Sequence, residues 1–292
     1  MSRNDDPPPG VEQLLPRGRI AAVFEPVFVT AEQAEIADDA WVLGVAIGDE
    51  ARAYSLNLLN SHEVVNDVVG GQPMAAVWCP LANAGLVYDR RVDGKEIELE
   101  ASGALMQASL VMRDRQTDSW WPIMTGEALA GPLEGQPLTE LQVSEKATWA
   151  DWKTRYPHTT VLSVEGREHV ENNPYDNYFT SEGTFRGLEI DDERLPPKTP
   201  IFAFWLDGKE WAVPHRAIEG GVMLDAGNQR VFIERATGAA IFASSHGWRV
   251  ETGSDIDAAR AALAQNELEP LEGFDTFWYS WVAVHAETEL LP

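Results

Sequence analysis

The chain has 292 residues, 44% of them hydrophobic, which is enough to bury one large core or two modest ones. Its 22 Lys and Arg residues face 47 Asp and Glu residues, so the formal net charge is −25. Because nucleic acids and anionic lipids are bound through clustered Lys and Arg, this balance argues against both as partners. A solubilising surface is the simpler interpretation of the acidic residues, and attraction of a cation is the sharper one.

The chain has one cysteine, Cys79. A single thiol excludes an intrachain disulfide, a multi-cysteine zinc site and a cysteine-ligated iron–sulfur cluster. No apolar run approaches the ~18–20 residues of a membrane-spanning helix, and the first ten residues contain no apolar segment. We therefore expect a cytoplasmic protein if Met1 is the native start, and otherwise an exported one whose leader has been removed.

The first predicted elements follow a polar N-terminal segment. Residues 1–18 are rich in Pro and charged residues, which is typical of a disordered arm. Two apolar runs, residues 42–47 and 51–54, flank a Gly-Asp-Glu turn and predict a β-hairpin. The spacing of apolar residues over 55–69 fits either a short helix or a bent connection, and the pattern does not decide between them.

The middle of the chain is predicted to be rich in strands. Apolar runs bounded by turns predict strands over 74–78, 85–89, 97–100, 110–112 and 120–121. Residues 148–153 predict a short capped helix that ends before Pro157. The composition of residues 165–200 is that of a loop, and this stretch is the best domain boundary.

Three blocks of the first part recur in the same order later in the chain. Residues 203–213 repeat the first hairpin, and residues 231–242 match residues 76–87. The matched residues near the end are Trp278, Trp281 and Thr288, whose counterparts are Trp149, Trp152 and Thr159. The second part also has an alanine-rich run over 254–264, which predicts a helix capped by Ser254 or Asp255.

From these repeats we expect an α+β fold of mostly antiparallel strands, internally duplicated, with two similar halves packed together. The expected order is a disordered arm over 1–18, a first repeat over 19–165, a connecting loop over 166–194 and a second, degenerate repeat over 195–292. A fold needs the same apolar residues in both halves, whereas a site needs particular polar ones in one half. Cys79 aligns with Glu234 and His62 aligns approximately with Gly220, so we expect the chemistry in the first half.

The order of short motifs resembles a bacterial and archaeal family known as domain of unknown function 3179. The motifs that show the likeness are His62-Glu63-Val64-Val65-Asn66-Asp67, Gly70-Gly71-Gln72-Pro73, Cys79-Pro80-Leu81, Asp114-Arg115-Gln116-Thr117, Thr125-Gly126-Glu127-Ala128, Thr148-Trp149-Ala150-Asp151-Trp152, and Pro174-Tyr175 with Tyr178. The likeness runs from about residue 20 to residue 290. It implies no particular activity, because none is assigned to the family.

This chain departs from the family pattern at two places. In the family, Cys-Pro-Leu is followed by a second cysteine and a glycine, where this chain has Ala82 and Asn83. A dithiol or a two-cysteine metal site is therefore impossible within this chain. Family members also tend to have Tyr and Asn around 106–109, where this chain has Met106, Gln107, Ala108 and Ser109. The resemblance therefore implies a divergent member.

The stretch from His62 to Cys79 is the candidate site. A thiol becomes a nucleophile when a neighbouring His or a helix N-terminus lowers its pKa. In this hypothesis Cys79 is the nucleophile, His62 is the base, and Asn66 or Asp67 orients the base. The simpler interpretation is that Cys79 is a small buried hydrophobic residue, as free cysteines often are.

A metal site is another interpretation of the same stretch. Cys79 and His62 with Met106 or Met112 would suit a soft ion such as Cu(I), because thiolate and thioether ligands select it. His62 with Glu63 and Asp67 would suit a harder ion. No tight ligand spacing such as His-x-x-x-His is present, so no cofactor is strongly implied, and copper or zinc is the metal that these residues would hold.

A polar ligand pocket is a further candidate, with Arg115, Gln116, Ser102 and Trp121 as its residues. Arg115 would clamp a carboxylate there, although pairing with Asp114 or Asp118 is the simpler role for its charge. The leading functional hypothesis is a small-molecule site with thiol-dependent catalysis centred on His62 and Cys79. The alternatives are a non-catalytic binding or scaffolding module and, third, a metal-binding protein. The sequence makes no prediction of the oligomeric state.

Overall fold

A computed structural model describes residues 6–235 and 241–292. The chain divides into two compact units, Met1–Leu188 and Glu189–Pro292. In each unit the described residues form small, mostly antiparallel sheets joined by short connections.

The first unit consists mainly of strands. Its strands are β1 Glu12–Gln13, β2 Val27–Thr30, β3 Trp41–Ile47, β4 Glu50–Ser55, β5 Val64–Val69, β6 Gln72–Cys79, β7 Ala84–Asp89, β8 Arg91–Val92, β9 Lys95–Glu96, β10 Leu99–Met106, β11 Ser109–Asp114, β12 Trp120–Pro122, β13 Ser144–Thr148 and β14 Thr160–Ser163. Its helices are α1 Leu56–Leu59, α2 Trp149–Arg155 and α3 Asp176–Thr180, with a 3₁₀ turn at Phe185–Gly187.

These strands form three sheets and a two-stranded ribbon within residues 6–188. The orders are β13-β3-β4-β14-β2, β5-β6-β7 and β1-β10-β11-β12, and the ribbon is β8-β9. Neighbouring strands are antiparallel except β4 and β14, which are parallel. The short central sheet contacts the other two, since β5 packs near β4 and β10 while β7 packs near β13.

The side-chain amide of Asn66 on β5 joins the central sheet to β10, because it pairs with the Leu99 backbone as a neighbouring strand would. Its amide nitrogen donates to the carbonyl oxygen of Leu99 and its amide oxygen accepts from the N–H of Leu99, both at 2.8 Å. The Asn66 side chain is buried, and these bonds supply partners for a polar group that would otherwise be costly to bury.

Helix α2 packs its two tryptophans into the core of the five-stranded sheet. The Thr148 hydroxyl accepts from the Asp151 N–H at 3.3 Å and caps the helix. The Trp152 indole N–H donates to the Thr159 hydroxyl at 3.0 Å, which satisfies its one polar atom inside the core. The Trp152 ring lies so close to Gly44 on β3 that no side chain fits there.

The second unit has fewer sheets. Its strands are β15 Pro200–Leu206, β16 Lys209–Pro214, β17 Val222–Ala226, β18 Gln229–Arg235, β19 Ser245–Val250, β20 Glu269–Pro270, β21 Glu272–Phe277 and β22 Glu289–Leu290. Its helices are α4 Ile256–Ala264 and α5 Trp278–Val282, with a 3₁₀ turn at His215–Ala217. In residues 189–235 and 241–292 the strands form two sheets, in the orders β21-β15-β16-β22 and β17-β18-β19-β20.

The core of the second unit consists of aromatic and branched side chains from both of its sheets. The second unit also has a buried hydrogen bond in which His215 Nε2 is 2.5 Å from Asp275 Oδ1, while Asp275 Oδ2 accepts from the Ser245 N–H at 2.8 Å. Helix α5 repeats the bond of α2, because the Trp281 indole donates to the Thr288 hydroxyl at 3.0 Å.

The prediction of an α+β fold with two similar halves packed together is wrong. The protein is mostly β, with 41% strand and 13% helix. Five sheets of three or more strands are present in the described residues, three in the first unit and two in the second, and they are of the kind that form β-propeller blades. In each unit the repeated motifs belong to a hairpin sheet with its tryptophan helix and to one further sheet, which contains β6 and β7 in the first unit and β18 in the second. The sheet of β1, β10, β11 and β12 has no counterpart among the repeated blocks.

Several local predictions agree with the structure. The first hairpin is β3 and β4, the capped helix is α2, and Asp255 caps α4 by accepting from the Ala258 N–H at 2.8 Å. Residues 55–69 contain both a helical turn and a strand. In the segment predicted to be disordered, Glu12–Gln13 pairs with β10. The repeat block over 231–242 includes residues 236–240, which lie outside the described residues. No helix of the described residues is long and apolar enough to cross a membrane.

The close approach of Gly44 and Trp152 gives a stability prediction. In Gly44→Ala the new Cβ would clash with the Trp152 ring, so the free energy of unfolding should fall by about 1–3 kcal/mol. Urea unfolding followed by tryptophan fluorescence measures this change. Gly183→Ala is the matched control, because a Cβ at that position meets open space. Equal effects of the two substitutions would contradict the packing described for Gly44.

Candidate functional site

The first unit contains a cavity of about 230 Å³ whose wall is mainly apolar. Its apolar lining residues are Leu14, Leu15, Ile20, Leu81, Gly103, Ala104, Leu105, Leu110 and Phe185. Its polar lining residues are Glu63, Tyr175 and Arg186. A concave apolar site with a few convergent polar groups is the usual form of a small-molecule site.

Glu63 lies in the wall of this cavity just after helix α1. Its N–H donates to the Leu59 carbonyl at 2.7 Å, and its own carbonyl accepts from the Trp78 N–H at 2.8 Å. These bonds hold Glu63 at a φ of +55°, in the left-handed region that disfavours a side chain. The chain therefore places a glutamate where glycine would be less strained.

The Glu63 carboxyl is buried and receives no hydrogen bond from the residues that the structure describes. The residue is 8% exposed, and no residue among 6–235 and 241–292 donates a hydrogen bond to its carboxyl oxygens. Burial disfavours the charged form and raises the pKa of Glu63 to about 8. At neutral pH the carboxyl is therefore mostly protonated, and it can donate a proton or accept one near physiological pH.

Cys79, at the end of β6, lies behind the cavity wall and is 1% exposed. Burial, followed by the charge of Glu63, raises the pKa of the thiol to about 12. Three backbone N–H groups act in the opposite direction by bonding the sulfur: those of Ala82, Leu110 and Leu81. Because burial and Glu63 outweigh these bonds, the thiol is neutral at physiological pH.

Tyr175 is held in place by a chain of hydrogen bonds that begins on β6. The Trp78 indole donates to the Asn60 side-chain oxygen at 2.8 Å, and the Asn60 amide donates to the Asn173 side-chain oxygen at 2.9 Å. That same oxygen accepts from the Tyr175 N–H at 2.9 Å. Burial, with added contributions from the Glu63 and Cys79 charges, raises the pKa of Tyr175 to about 12. The phenol is therefore also neutral.

The segment of residues 169–188, here called the strap, lies over the site. The Tyr178 hydroxyl donates to the Leu81 carbonyl at 2.6 Å, and the Asn57 amide donates to the Val170 carbonyl at 2.8 Å. These bonds tie the strap both to the turn after Cys79 and to helix α1. The strap thus supplies one wall of the cavity from a part of the chain with little regular structure of its own.

Arg186 lies at the mouth of the cavity, at a φ of +53°. Its guanidinium donates to Glu12 at 3.3 Å, and both side chains are largely exposed. A neighbouring cavity of about 300 Å³ shares Leu105, Phe185 and Arg186 with the first. Its wall includes Gln107 and Ala108, which also have positive φ, so the rim of the site is a tight hairpin turn without glycine.

The predicted catalytic residues are not all brought together. The His62 ring nitrogen Nδ1 donates to the Ala21 carbonyl at 2.8 Å, and in the described residues no hydrogen bond joins it to Cys79. Asn66 bonds the backbone of β10, as described above. Asp67 accepts from the Tyr54 hydroxyl at 2.7 Å and from the Val68 N–H at 2.7 Å, so it links β5 to β4 rather than orienting His62.

The predicted ligand-binding residues also separate. Arg115 and Gln116 line another cavity, of about 730 Å³, to which Pro7–Pro9 also contribute. Arg115 donates to Glu98 at 3.1 Å, which agrees with an internal pairing although the partner differs from the expected ones. Ser102 is buried and bonds the Val111 carbonyl. Trp121 is buried and donates to Asp114 at 3.1 Å.

A metal site is not assembled in the described residues. No group of three or more His, Cys, Asp or Glu lies close enough together there to hold an ion. Met112 is fully buried on β11, and Met106 lies at the end of β10.

The sequence did not predict that Glu63 and Tyr175 line the same cavity. Glu63 lies beside His62 in the suspected stretch, but the sequence does not show which of the two faces the cavity. Tyr175 belongs to the Pro-Tyr motif of the family resemblance, and this motif was the one available signal for it.

Comparison with known families agrees with the resemblance. Residues 17–288 match the model of a family described as a protein of unknown function (DUF3179). The chain belongs to this family. No curated protein and no solved structure matches this DUF3179 chain.

The buried carboxyl predicts a pH-dependent stability difference. In this DUF3179 chain Glu63 keeps a proton up to about pH 8 when folded, whereas an unfolded glutamate loses it near pH 4.3. The parent therefore loses stability as pH rises through this window, and Glu63→Gln does not. The stability of Glu63→Gln relative to the parent should increase by roughly 3–5 kcal/mol between pH 5 and pH 9.

Urea unfolding at several pH values measures this difference. Glu134→Gln, at an exposed position, is the control and should show no such trend. A stability difference between Glu63→Gln and the parent that is constant from pH 5 to pH 9 would show that Glu63 is not a buried, neutral carboxyl.

The thiol of Cys79 should react slowly while the protein is folded. With a pKa near 12, its alkylation by iodoacetamide at pH 8 should be at least about 100-fold slower than that of free cysteine. Glu63→Gln should raise the rate several-fold, because it removes the charge that opposes the thiolate. His62→Ala should leave the rate unchanged, and unfolding in urea should restore full reactivity. Mass spectrometry of timed samples gives the rates, and the opposite ranking of the two variants would restore His62 as the group that controls the thiol.

Proposed function

We propose that the first unit binds one small, mainly apolar molecule and that Glu63 exchanges a proton with it. The observation that supports the proposal is the Glu63 carboxyl itself, which lies in the wall of an apolar cavity, belongs to a residue that is nine-tenths buried, and has no hydrogen-bond donor among the described residues. The proposal keeps the small-molecule site expected in this stretch of sequence, and it replaces His62 with Glu63 as the proton-exchanging group.

Two independent costs meet at Glu63. Burial of the Glu63 carboxyl disfavours its charged form, and a left-handed φ at a residue with a side chain costs about 1–3 kcal/mol. An apolar residue or a glycine would avoid each cost. Places where a chain breaks such local rules are most often functional sites, which is why we assign the proton exchange to this residue.

The size of the cavity limits the ligand. Its volume of about 230 Å³ corresponds to roughly eight water molecules, at about 30 Å³ each. The ligand is therefore a molecule of roughly eight non-hydrogen atoms, or one end of a longer molecule that continues past Arg186 into the neighbouring cavity. The apolar wall contacts its body, while Glu63 and the Tyr175 hydroxyl contact its polar group.

Thiol-dependent catalysis is the second candidate, and a specific observation favours it. The N–H groups that bond the Cys79 sulfur favour a thiolate, and Glu63 is the nearby group that could remove the thiol proton once it is ionised. In the unliganded protein the neutral thiol acts against this role. Binding should survive Cys79→Ala if the thiol is a wall residue, whereas turnover of a bound molecule would stop if the thiol is a nucleophile.

A fragment screen tests the proposed binding site. Molecules of up to about ten non-hydrogen atoms are screened against the full chain by ligand-observed NMR. We expect hits that lose binding in Leu105→Trp, because the larger ring fills the cavity, and that keep it in Leu129→Trp, at an exposed position outside the cavity wall. For hits with a polar group, the affinity should change between pH 6.5 and pH 9 in the parent but not in Glu63→Gln.

Both tryptophan variants must show cooperative unfolding before they are compared. Loss of binding in Leu105→Trp then reports a filled cavity and not a loss of folding. The absence of any hit that distinguishes Leu105→Trp from Leu129→Trp would overturn the proposal.

A further inference from the structure

We propose that the small molecule bound at this site is an organic amine, whose ammonium group pairs with the ionised carboxyl of Glu63. This inference rests on the proposed binding site and adds the chemical class of its ligand. It follows from the charges, the donors and acceptors, and the overall field around the cavity.

Of the charged groups that line the cavity, Glu63 is the one with which a bound cation can pair. Arg186 at the mouth already donates to Glu12, whereas no donor of the described residues bonds the Glu63 carboxyl. An anionic ligand would keep Glu63 neutral, would gain no opposite charge from it, and would have to compete with Glu12 for Arg186. An ammonium group would supply the partner that Glu63 lacks, and the resulting pair would be neutral as a whole.

The hydrogen-bonding groups of the site also match an ammonium. An ammonium has three N–H donors and no acceptor. Glu63 and Tyr175 both line the cavity, and a carboxylate and a phenol hydroxyl both contain oxygens that accept hydrogen bonds. The Tyr175 ring adds an aromatic face, and such faces attract organic cations. Charge-assisted bonds of this kind are strong because the surrounding wall is apolar.

The charge of the whole chain favours the same class of ligand. With a net charge of −25, the protein raises the local concentration of cations and lowers that of anions. The apolar lining selects, among cations, those with a hydrocarbon body, because an inorganic ion would leave most of the cavity wall unfilled.

Binding should be linked to the loss of a proton. The titratable or charged groups of the described residues that face Glu63 are Cys79 and Tyr175, with Arg186 and Glu12 at the mouth. Burial keeps the thiol and the phenol neutral between pH 6 and pH 9. When an ammonium ion binds at pH 7, the proton released therefore comes from Glu63. As the pH is raised towards 8, the apparent affinity for the ammonium ion should increase by up to about tenfold per pH unit. Above pH 8 it should level off, because Glu63 is then already ionised.

Isothermal calorimetry with matched probes tests the inference on the full chain. The probes are butylamine, cyclohexylamine and benzylamine, each compared with the alcohol of the same skeleton, and cyclohexanecarboxylate is the anionic control. We expect at least one amine to bind at least tenfold more tightly than its alcohol, with release of about one proton at pH 7. Titrations in buffers of different ionisation enthalpy count this proton. The carboxylate should not bind.

Variants show whether the preference comes from Glu63. Glu63→Gln keeps the shape of the side chain and should lose at least tenfold in amine affinity, together with the proton release, while it retains binding of the alcohol. Leu105→Trp should lose both probes and Leu129→Trp should lose neither.

The outcomes distinguish this inference from the proposed function. If an alcohol binds as tightly as its amine and Leu105→Trp abolishes this binding, the site stands and the amine class is overturned. If an amine binds with equal affinity to the parent and to Glu63→Gln, the pairing is overturned. If none of the six matched probes binds, the amine class is overturned, and the fragment screen alone decides the binding site.

Discussion

The chain of hydrogen bonds from the Trp78 indole through Asn60 to Asn173 is the contact on which the candidate site depends. Its members lie on β6, at the end of α1 and in the strap. Because all three side chains are polar and partly or fully buried, each bond satisfies a group that would otherwise be costly to enclose. The bonds thereby fix a loop that has little regular structure, and that loop brings Tyr175 to the cavity wall.

The same region explains why a strained glutamate persists. Glu63 follows α1, and its backbone bonds on one side to Leu59 and on the other to Trp78. Strand β5 begins at the next residue and is held in register by β6 and by the Asn66 bonds to β10. The backbone has no freedom to relax the left-handed φ without breaking these pairings, so the sheet outweighs the local preference.

The parts of the fold that could be predicted from sequence are those set by neighbours along the chain. The first hairpin follows from alternating apolar runs around a glycine turn, and α2 follows from Thr148 and the spacing of its two tryptophans. The pairing of β1 with β10 and the division into five sheets depend on contacts between distant segments, which a repeat of local motifs does not specify. The choice between His62 and Glu63 was also beyond the sequence, because it depends on the turn before β5, where backbone bonds to Leu59 and Trp78 hold Glu63 at its left-handed φ.

The turn after Cys79 shows how the site of this chain differs from a two-thiol site. Ala82 stands where the sequence resemblance led us to expect a second cysteine, and the turn is held by other bonds: the Asn83 N–H donates to the Pro80 carbonyl at 3.4 Å, and buried Lys146 donates to the Asn83 carbonyl at 2.8 Å. The turn therefore does not depend on a second thiol. Because the single thiol is neutral and enclosed behind the wall, our proposal assigns proton exchange at this cavity to the Glu63 carboxyl, whose pKa burial raises to about 8.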